Sequence, residues 1–315
     1  MKQARASIRP VVIYPFSQPK NLKSLEALYT SLKSLKEDDR FLRPQTIINN
    51  QTRYRTTGDR AKSPDLTTAY ETATKEIIAP VSDTSTIWAV DTCAMWLAGL
   101  GSAFELAQAD AAVHDVFWLI PGDFDFASVS GQKALEVMRE IPLKVFSGNF
   151  EMCLGEIKVP LNSAKQLIDT YGTYGLLYNW FPAEAQGIRA ITDKPRTEFF
   201  AINYQTLERA LIDSRWYAYE QTLMILLQNM SGKSPVRNIT SIRLGEIVDD
   251  ESTRNALAAA MQQVERTERA FKLFWREKAE REGAPNWHEE FRRLDAQSES
   301  VRTAAMVILR RILTQ

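Results

Sequence analysis

Asp123 and Asp125 are two carboxylates at i and i+2, directly after the apolar run Val116-Phe117-Trp118-Leu119-Ile120 and the pair Pro121-Gly122. If the turn after that run folds them together, both face one small volume. An oxygen-only pair suits Mg²⁺ or Mn²⁺, which can also take two phosphate oxygens of a bound nucleotide. Gly122 would permit the tight turn this needs. The same spacing also arises in strand-end turns whose two aspartates are only solvated, so the surrounding elements decide its meaning.

Those elements alternate. Val11-Val12-Ile13-Tyr14, ended by Pro15, reads as a buried strand. Leu22, Leu25, Leu28, Leu32 and Leu35 follow at helical spacing. Thr46-Ile47-Ile48 is a second strand, ended by Asn49-Asn50 and followed by a basic loop over 51–63. Residues 65–78 pattern as a helix between Pro64 and Pro80. Thr86-Ile87-Trp88-Ala89-Val90 is a third strand, 92–113 a helix rich in Ala and Leu, and Val116 to Ile120 the fourth strand. This order predicts an α/β fold with a mainly parallel sheet flanked by helices. Right-handed crossovers collect the strand C-termini on one edge, where open sheets bind ligands. Tyr14-Pro15-Phe16, Asn49-Asn50, Asp91-Thr92 and Asp123-Phe124-Asp125 should therefore converge.

The second half reads as a helix over 130–140, a strand over 144–150 and a helical pattern over 162–180. A strand over 198–202, helices over 207–212 and 219–230, and an edge strand over 237–247 follow. From 251 onward the pattern is purely helical. The change near Asp249-Asp250 divides an α/β domain, 1–248, from a helical C-terminal extension, 249–315. Leu257, Met261, Val264, Phe271 and Trp275 form a loose apolar stripe that would pack on the domain or on a second copy of the chain. The amphipathic stretch 301–313, with Arg302, Arg310 and Arg311, fits homodimerisation first and peripheral contact with a membrane second.

Composition removes several classes. Thirty-nine basic residues balance 39 acidic ones, which argues against bulk electrostatic binding of nucleic acid. The cysteines are Cys93 and Cys153 alone, too few for a disulfide framework, so a reducing, cytoplasmic setting is expected. With only His114 and His288, neither a structural zinc site nor a histidine-based hydrolase is expected. The apolar run Val11 to Ile13 is far too short for a signal-peptide core, and no stretch approaches the about 20 apolar residues of a membrane span.

The order of elements, with Asp-x-Asp after the fourth strand, resembles a GT-A glycosyltransferase over roughly residues 11–247. The resemblance is one of pattern. It implies metal-dependent transfer, with inversion, of a sugar from a nucleoside-diphosphate sugar to a hydroxyl of a small-molecule, glycan or lipid-linked acceptor. Mn²⁺ or Mg²⁺ would be the cofactor. Tyr14, Pro15 and Phe16 would form the base-side loop, and Asn49 and Asn50 would meet base and ribose. Asp91 would lie on the pyrophosphate side, and Asp123 and Asp125 would hold the metal and the diphosphate. Two departures stand out. The family usually has acidic residues where this chain has Asn49-Asn50-Gln51-Thr52, which leaves the base open. The glycines of the next helix, Gly99 and Gly101, come nearly two turns in.

The resemblance extends to the acceptor side. Glu198 to Ile202 resembles the acceptor-side strand, and Tyr219-Glu220-Gln221 resembles the acidic motif of inverting members. Glu220 would then take the acceptor hydroxyl proton, its ionised form favoured beside a helix N-terminus. It could equally serve as a helix cap. Arg196 could bind the diphosphate or an anionic acceptor, as could Lys194 and the loop cations Arg53, Arg55, Arg60 and Lys62, or all could be solvated. Asp193 could bind acceptor hydroxyls. Trp180 and Trp216 offer faces for sugar stacking, or belong to the core. A sugar-phosphate nucleotidyltransferase would need a Gly-rich phosphate loop where this chain has Pro15-Phe16-Ser17-Gln18-Pro19. A non-catalytic interaction protein on the same fold is the remaining alternative.

Overall fold

Four short apolar runs become the strands that carry the candidate motifs. In the computed structural model they are β1 (Ile8–Phe16), β2 (Gln45–Asn50), β3 (Asp83–Ile87) and β4 (Val116–Pro121). Residues 7–16, 22–50, 64–87, 116–158, 172–207, 221–232, 236–247, 256–293 and 296–297 are described. Every residue of β4 is buried, as its unbroken apolar run requires of a central parallel strand. Helix α1 (Leu22–Lys33) follows β1 and buries Ser24, Leu25, Leu28, Tyr29 and Leu32, the stripe expected from its leucine spacing. Helix α2 (Pro64–Thr72) opens on a proline, at the helix position that tolerates one.

By contact, the chain divides into two compact units. The first is Met1–Pro160 with Gln186–Thr253, and the second is Leu161–Ala185 with Arg254–Gln315. The first holds the sheet. After β4 come helices α3 (Val129–Val137) and α4 (Glu140–Phe146) and strand β5 (Met152–Lys158). Further along are β6 (Phe200–Asn203), helix α7 (Gln221–Met230) and β7 (Ile239–Glu246), with helices α5 (Tyr174–Trp180) and α6 (Pro182–Ile191) lying before β6. The seven strands are ordered β3-β2-β1-β4-β6-β5-β7. All neighbours pair in parallel except β6, which is antiparallel to β4 and β5. The C-terminal ends of the parallel strands and the N-terminal end of β6 therefore share one edge. This is the mainly parallel, helix-flanked α/β sheet that the GT-A resemblance implies.

Three expectations change. The strand expected over 144–150 is instead helix α4, with Ile141 and Val145 buried at helical spacing. Pro142 sits in its first turn, where backbone N–H groups have no intrahelical partner to lose. The true strand, β5, comes after it. The third strand begins at Asp83 rather than Thr86. Arg43 fixes that start, donating to the carbonyls of Ala79 at 2.8 Å and Val81 at 3.2 Å. Among the described residues the glycines with positive φ are Gly148, Gly232, Gly245 and Gly283, and Gly122 is not one of them. Its missing side chain serves close approach: a Cβ there would lie 3.1 Å from Tyr14 Cβ. The helix expected over 92–113 and the amphipathic stretch 301–313 lie outside the described residues.

In the second unit α5 packs on the long helix α8 (Ala256–Glu282), with Trp180 5.3 Å from Phe271 and Phe181 5.9 Å from Phe274 between ring centroids. Arg281 lies 4.8 Å from the Phe181 ring and pairs with Glu184 and Glu277. Among the described residues no helix is long and apolar enough to cross a membrane.

Candidate active site

The chain runs from β1 outward to β2 and β3, then returns to β4 on the other side of β1. The crevice between the β1 and β4 ends is thus the point where the strand order reverses, the place where open α/β sheets take ligands. Register places the motifs there: Tyr14 opposes Ile48, Pro15 opposes Asn49 and Phe16 opposes Asn50, while Ile13 opposes Pro121. Gly122 N–H donates to the Ile13 carbonyl at 2.8 Å. The Asp123 loop therefore starts against the end of β1.

Between the aspartates, Phe124 is 2% exposed and turns into the core. Its ring lies 4.9 Å from Phe199, just before β6, and 6.5 Å from Phe126. Asp123 and Asp125, on either side, are only partly buried. Asp125 Oδ1 accepts from the N–H groups of Ala127 and Ser128, both at 3.2 Å. Ser128 Oγ donates to the Asp125 carbonyl at 2.9 Å and caps α3 by accepting from Gly131 N–H at 3.1 Å. Gln132 Nε2 donates to the Phe126 carbonyl at 2.8 Å. Ser24 Oγ, from α1, donates to the Phe124 carbonyl and accepts from Phe126 N–H at 2.6 Å. The loop is thus held from both α1 and α3.

Asp123 and Asp125 are the carboxylates of this loop. Among the described residues no group of three or more His, Cys, Asp or Glu gathers. Mg²⁺ keeps waters and takes substrate phosphates for most of its positions, so one or two protein carboxylates would suffice for it. Asp125 Oδ1 is engaged by backbone N–H groups.

Gly131 gives this loop its room. A Cβ at Gly131 would lie 2.1 Å from the Asp125 carbonyl oxygen and 2.7 Å from Phe126 Cα, both backbone atoms that cannot rotate away. Gly131→Ala should cost about 1–3 kcal/mol, the usual range for overpacking, by thermal or urea denaturation. It should also displace the Asp125 turn, so that protection of residues 124–128 from hydrogen exchange falls along with stability. A variant that loses neither would show that the loop yields freely.

The β5, β6 and β7 ends carry a second polar group. Thr197 Oγ1 donates to the Gly155 carbonyl at 2.6 Å, and Thr197 N–H donates to Thr222 Oγ1 at 3.1 Å. Thr222 Oγ1 in turn donates to the Pro195 carbonyl at 2.9 Å. The first turn of α7 is therefore tied to Pro195-Arg196-Thr197, and Arg196 is half-buried. Asp193 is exposed, 3.8 Å from Arg243 Nη2. Glu156 is 8% exposed, and its Oε1 accepts from Ser241 Oγ at 2.8 Å and from Asp193 N–H at 3.3 Å. Arg243 Nε is 3.7 Å from Glu156 Oε2, but the Arg243 side chain is 84% exposed, so solvent weakens that pair. The sequence reading missed Glu156, Ser241 and Arg243. The available signal was a carboxylate inside the otherwise apolar β5.

Asp91, Trp216 and Glu220 lie outside the described residues. Trp180 belongs to the second unit, its ring on Phe271. Cys153 is a buried free thiol whose burial pushes it up to about 12, so it is protonated near neutral pH and a poor nucleophile.

No family model matches this chain, and no curated protein does. Solved structures do. A mycobacterial protein is 12% identical with a TM-score of 0.53, over 90% of this chain and 78% of that one. At that identity the likeness is one of fold alone, a mixed, mainly parallel α/β sheet flanked by helices. Two named proteins are also similar. They are mannosyl-3-phosphoglycerate synthase from Rubrobacter xylanophilus (TM-score 0.49, 10% identity, 90% of this chain and 77% of that one) and glucosyl-3-phosphoglycerate synthase from M. tuberculosis (TM-score 0.46, 9% identity, 86% and 80%).

Proposed function

We propose that this chain is a metal-dependent glycosyltransferase that moves a sugar, with inversion, from a nucleoside-diphosphate sugar to an acceptor hydroxyl. The observation that carries the reading is the Asp123–Asp125 loop, hydrogen-bonded and packed against the end of β1 where the strand order reverses. Asp123 and Asp125 bind the cation and, with it, the diphosphate. Tyr14, Pro15 and Phe16 border the base, and Asn49 and Asn50 supply amides to the base or ribose in place of the usual carboxylates. Asp91 borders the pyrophosphate. When bound, Mn²⁺ or Mg²⁺ offsets the charge that develops on the leaving diphosphate. Arg196 adds a fixed cation on the same edge. Asp193 and Trp216 are assigned to the acceptor, and Glu220 takes the proton of the attacking hydroxyl. The unit that holds the sheet carries this chemistry, and the helices after 253 form a docking or dimerising part of a cytoplasmic protein.

A thermal-shift series with UDP, GDP, CDP and ADP, each with and without Mn²⁺, tests the binding half. One of them should raise the melting temperature only in the presence of Mn²⁺, by about 2.7 kcal/mol of added stability at a hundredfold excess over Kd. No shift with any nucleotide would leave the non-catalytic alternative standing.

A further inference from the structure

Ser24 lies in the first turn of α1, yet its hydroxyl is built into the acidic loop a hundred residues away. The residue is 6% exposed. Its Oγ donates to the Phe124 carbonyl and accepts from Phe126 N–H at 2.6 Å. Those two groups belong to the peptides on either side of Asp125, so one hydroxyl fixes both peptide planes that aim its side chain. Phe126 N–H also lies 2.9 Å from the Phe124 carbonyl, the i to i+2 contact of a γ-turn. Without Ser24 the loop would lose its tie to α1 and keep that three-residue contact and its bonds to α3, and two buried backbone groups would lose a partner.

The position of Ser24 adds a second link. Helix α1 is the element that follows β1, whose end is Tyr14-Pro15-Phe16. The hydroxyl thus joins the element after the base-side loop to the loop holding the carboxylate pair. We infer that Ser24 is a positioning residue that holds Asp125 in the orientation a metal-bound diphosphate requires. The inference rests on the function proposed above.

The test compares Ser24→Ala with Ser24→Thr and with Thr46→Val. Thr46 belongs to another buried hydroxyl network, bonding Ser82 Oγ at 2.8 Å and the Tyr29 hydroxyl near the opposite end of β2. It serves as a control for stability loss alone. Binding of UDP, GDP, CDP and ADP with Mn²⁺ is measured by calorimetry, alongside melting temperature and hydrogen exchange of a peptide spanning 124–128. Ser24→Ala should weaken the Mn²⁺-dependent nucleotide about tenfold and raise exchange in that peptide, as loss of one buried bonding group implies. Thr46→Val should lower the melting temperature with unchanged affinity and unchanged exchange at 124–128, and Ser24→Thr should restore binding to within about threefold, the spread such contexts carry. Wild-type affinity in a folded Ser24→Ala, or equal weakening by Thr46→Val, overturns the positioning role and leaves the proposed function intact. Absence of Mn²⁺-dependent binding in the wild type overturns both, and is read from the wild type alone.

Discussion

Asp125→Asn should abolish Mn²⁺-dependent nucleotide binding while leaving the protein folded with a melting temperature close to wild type. The two halves of this outcome come from two roles of one side chain. Asp125 Oδ1 accepts from Ala127 and Ser128 N–H groups and so shapes the turn into α3. An asparagine keeps an amide oxygen there and nearly the same volume, so the turn survives. It removes the negative charge, and a hard divalent cation binds a neutral amide oxygen far more weakly than a carboxylate. Loss of even an outer-shell partner costs roughly 10–100-fold in metal affinity, so direct loss of a ligand should cost at least about 100-fold. Asp125→Ala should lose the turn as well, and with it about 1 kcal/mol of stability. If Asp125→Asn binds as the wild type does and only Asp125→Ala falls, the residue is a turn former and the metal assignment is wrong.

Glu220→Gln should leave nucleotide affinity unchanged and lower turnover by about 10²–10⁴-fold, the range for a lost general base. Glu220 directly precedes α7, whose Thr222 is bonded to Pro195 and Thr197 beside Arg196. Glutamine has the same shape and can still hydrogen-bond a hydroxyl, but it cannot take its proton. An interaction made only in the transition state should appear in kcat and kcat/KM together, with the nucleotide Kd unmoved. Single-turnover kinetics with a saturating donor measures this. Full transfer activity in Glu220→Gln would remove the base, and with it the argument for inversion.

The half of the sheet that carries the candidate nucleotide side was legible because its strands are covered and read as unbroken apolar runs. Val11 to Tyr14, Thr46 to Ile48 and Val116 to Ile120 each fall inside the strand observed. β5 was missed because its run is broken at Gly155 and Glu156, and both breaks have tertiary causes. A Cβ at Gly155 would lie 2.8 Å from Phe199 Cβ and 2.9 Å from Leu244 Cδ1, so the neighbouring strands require glycine. Glu156 is satisfied by Ser241 from β7, a partner 85 residues on. The Ser24 contact with the acidic loop had no local signal either, since nothing near residue 24 refers to residue 124. Gly122 was singled out correctly as a special position, but for backbone freedom, whereas its role is to admit Tyr14. Grouping of Leu161–Ala185 with Arg254–Gln315 likewise depends on contacts such as Trp180 with Phe271, which periodicity does not encode.

A crystal of the protein soaked with Mn²⁺ and the nucleoside diphosphate that stabilises it would test the central claim most directly. Anomalous density for the cation should lie within about 2.0–2.2 Å of a carboxylate oxygen of Asp125 or Asp123, as for other small hard cations, and of the diphosphate, between the ends of β1 and β4. A nucleotide bound elsewhere, or bound there with no cation touching either aspartate, would contradict the account.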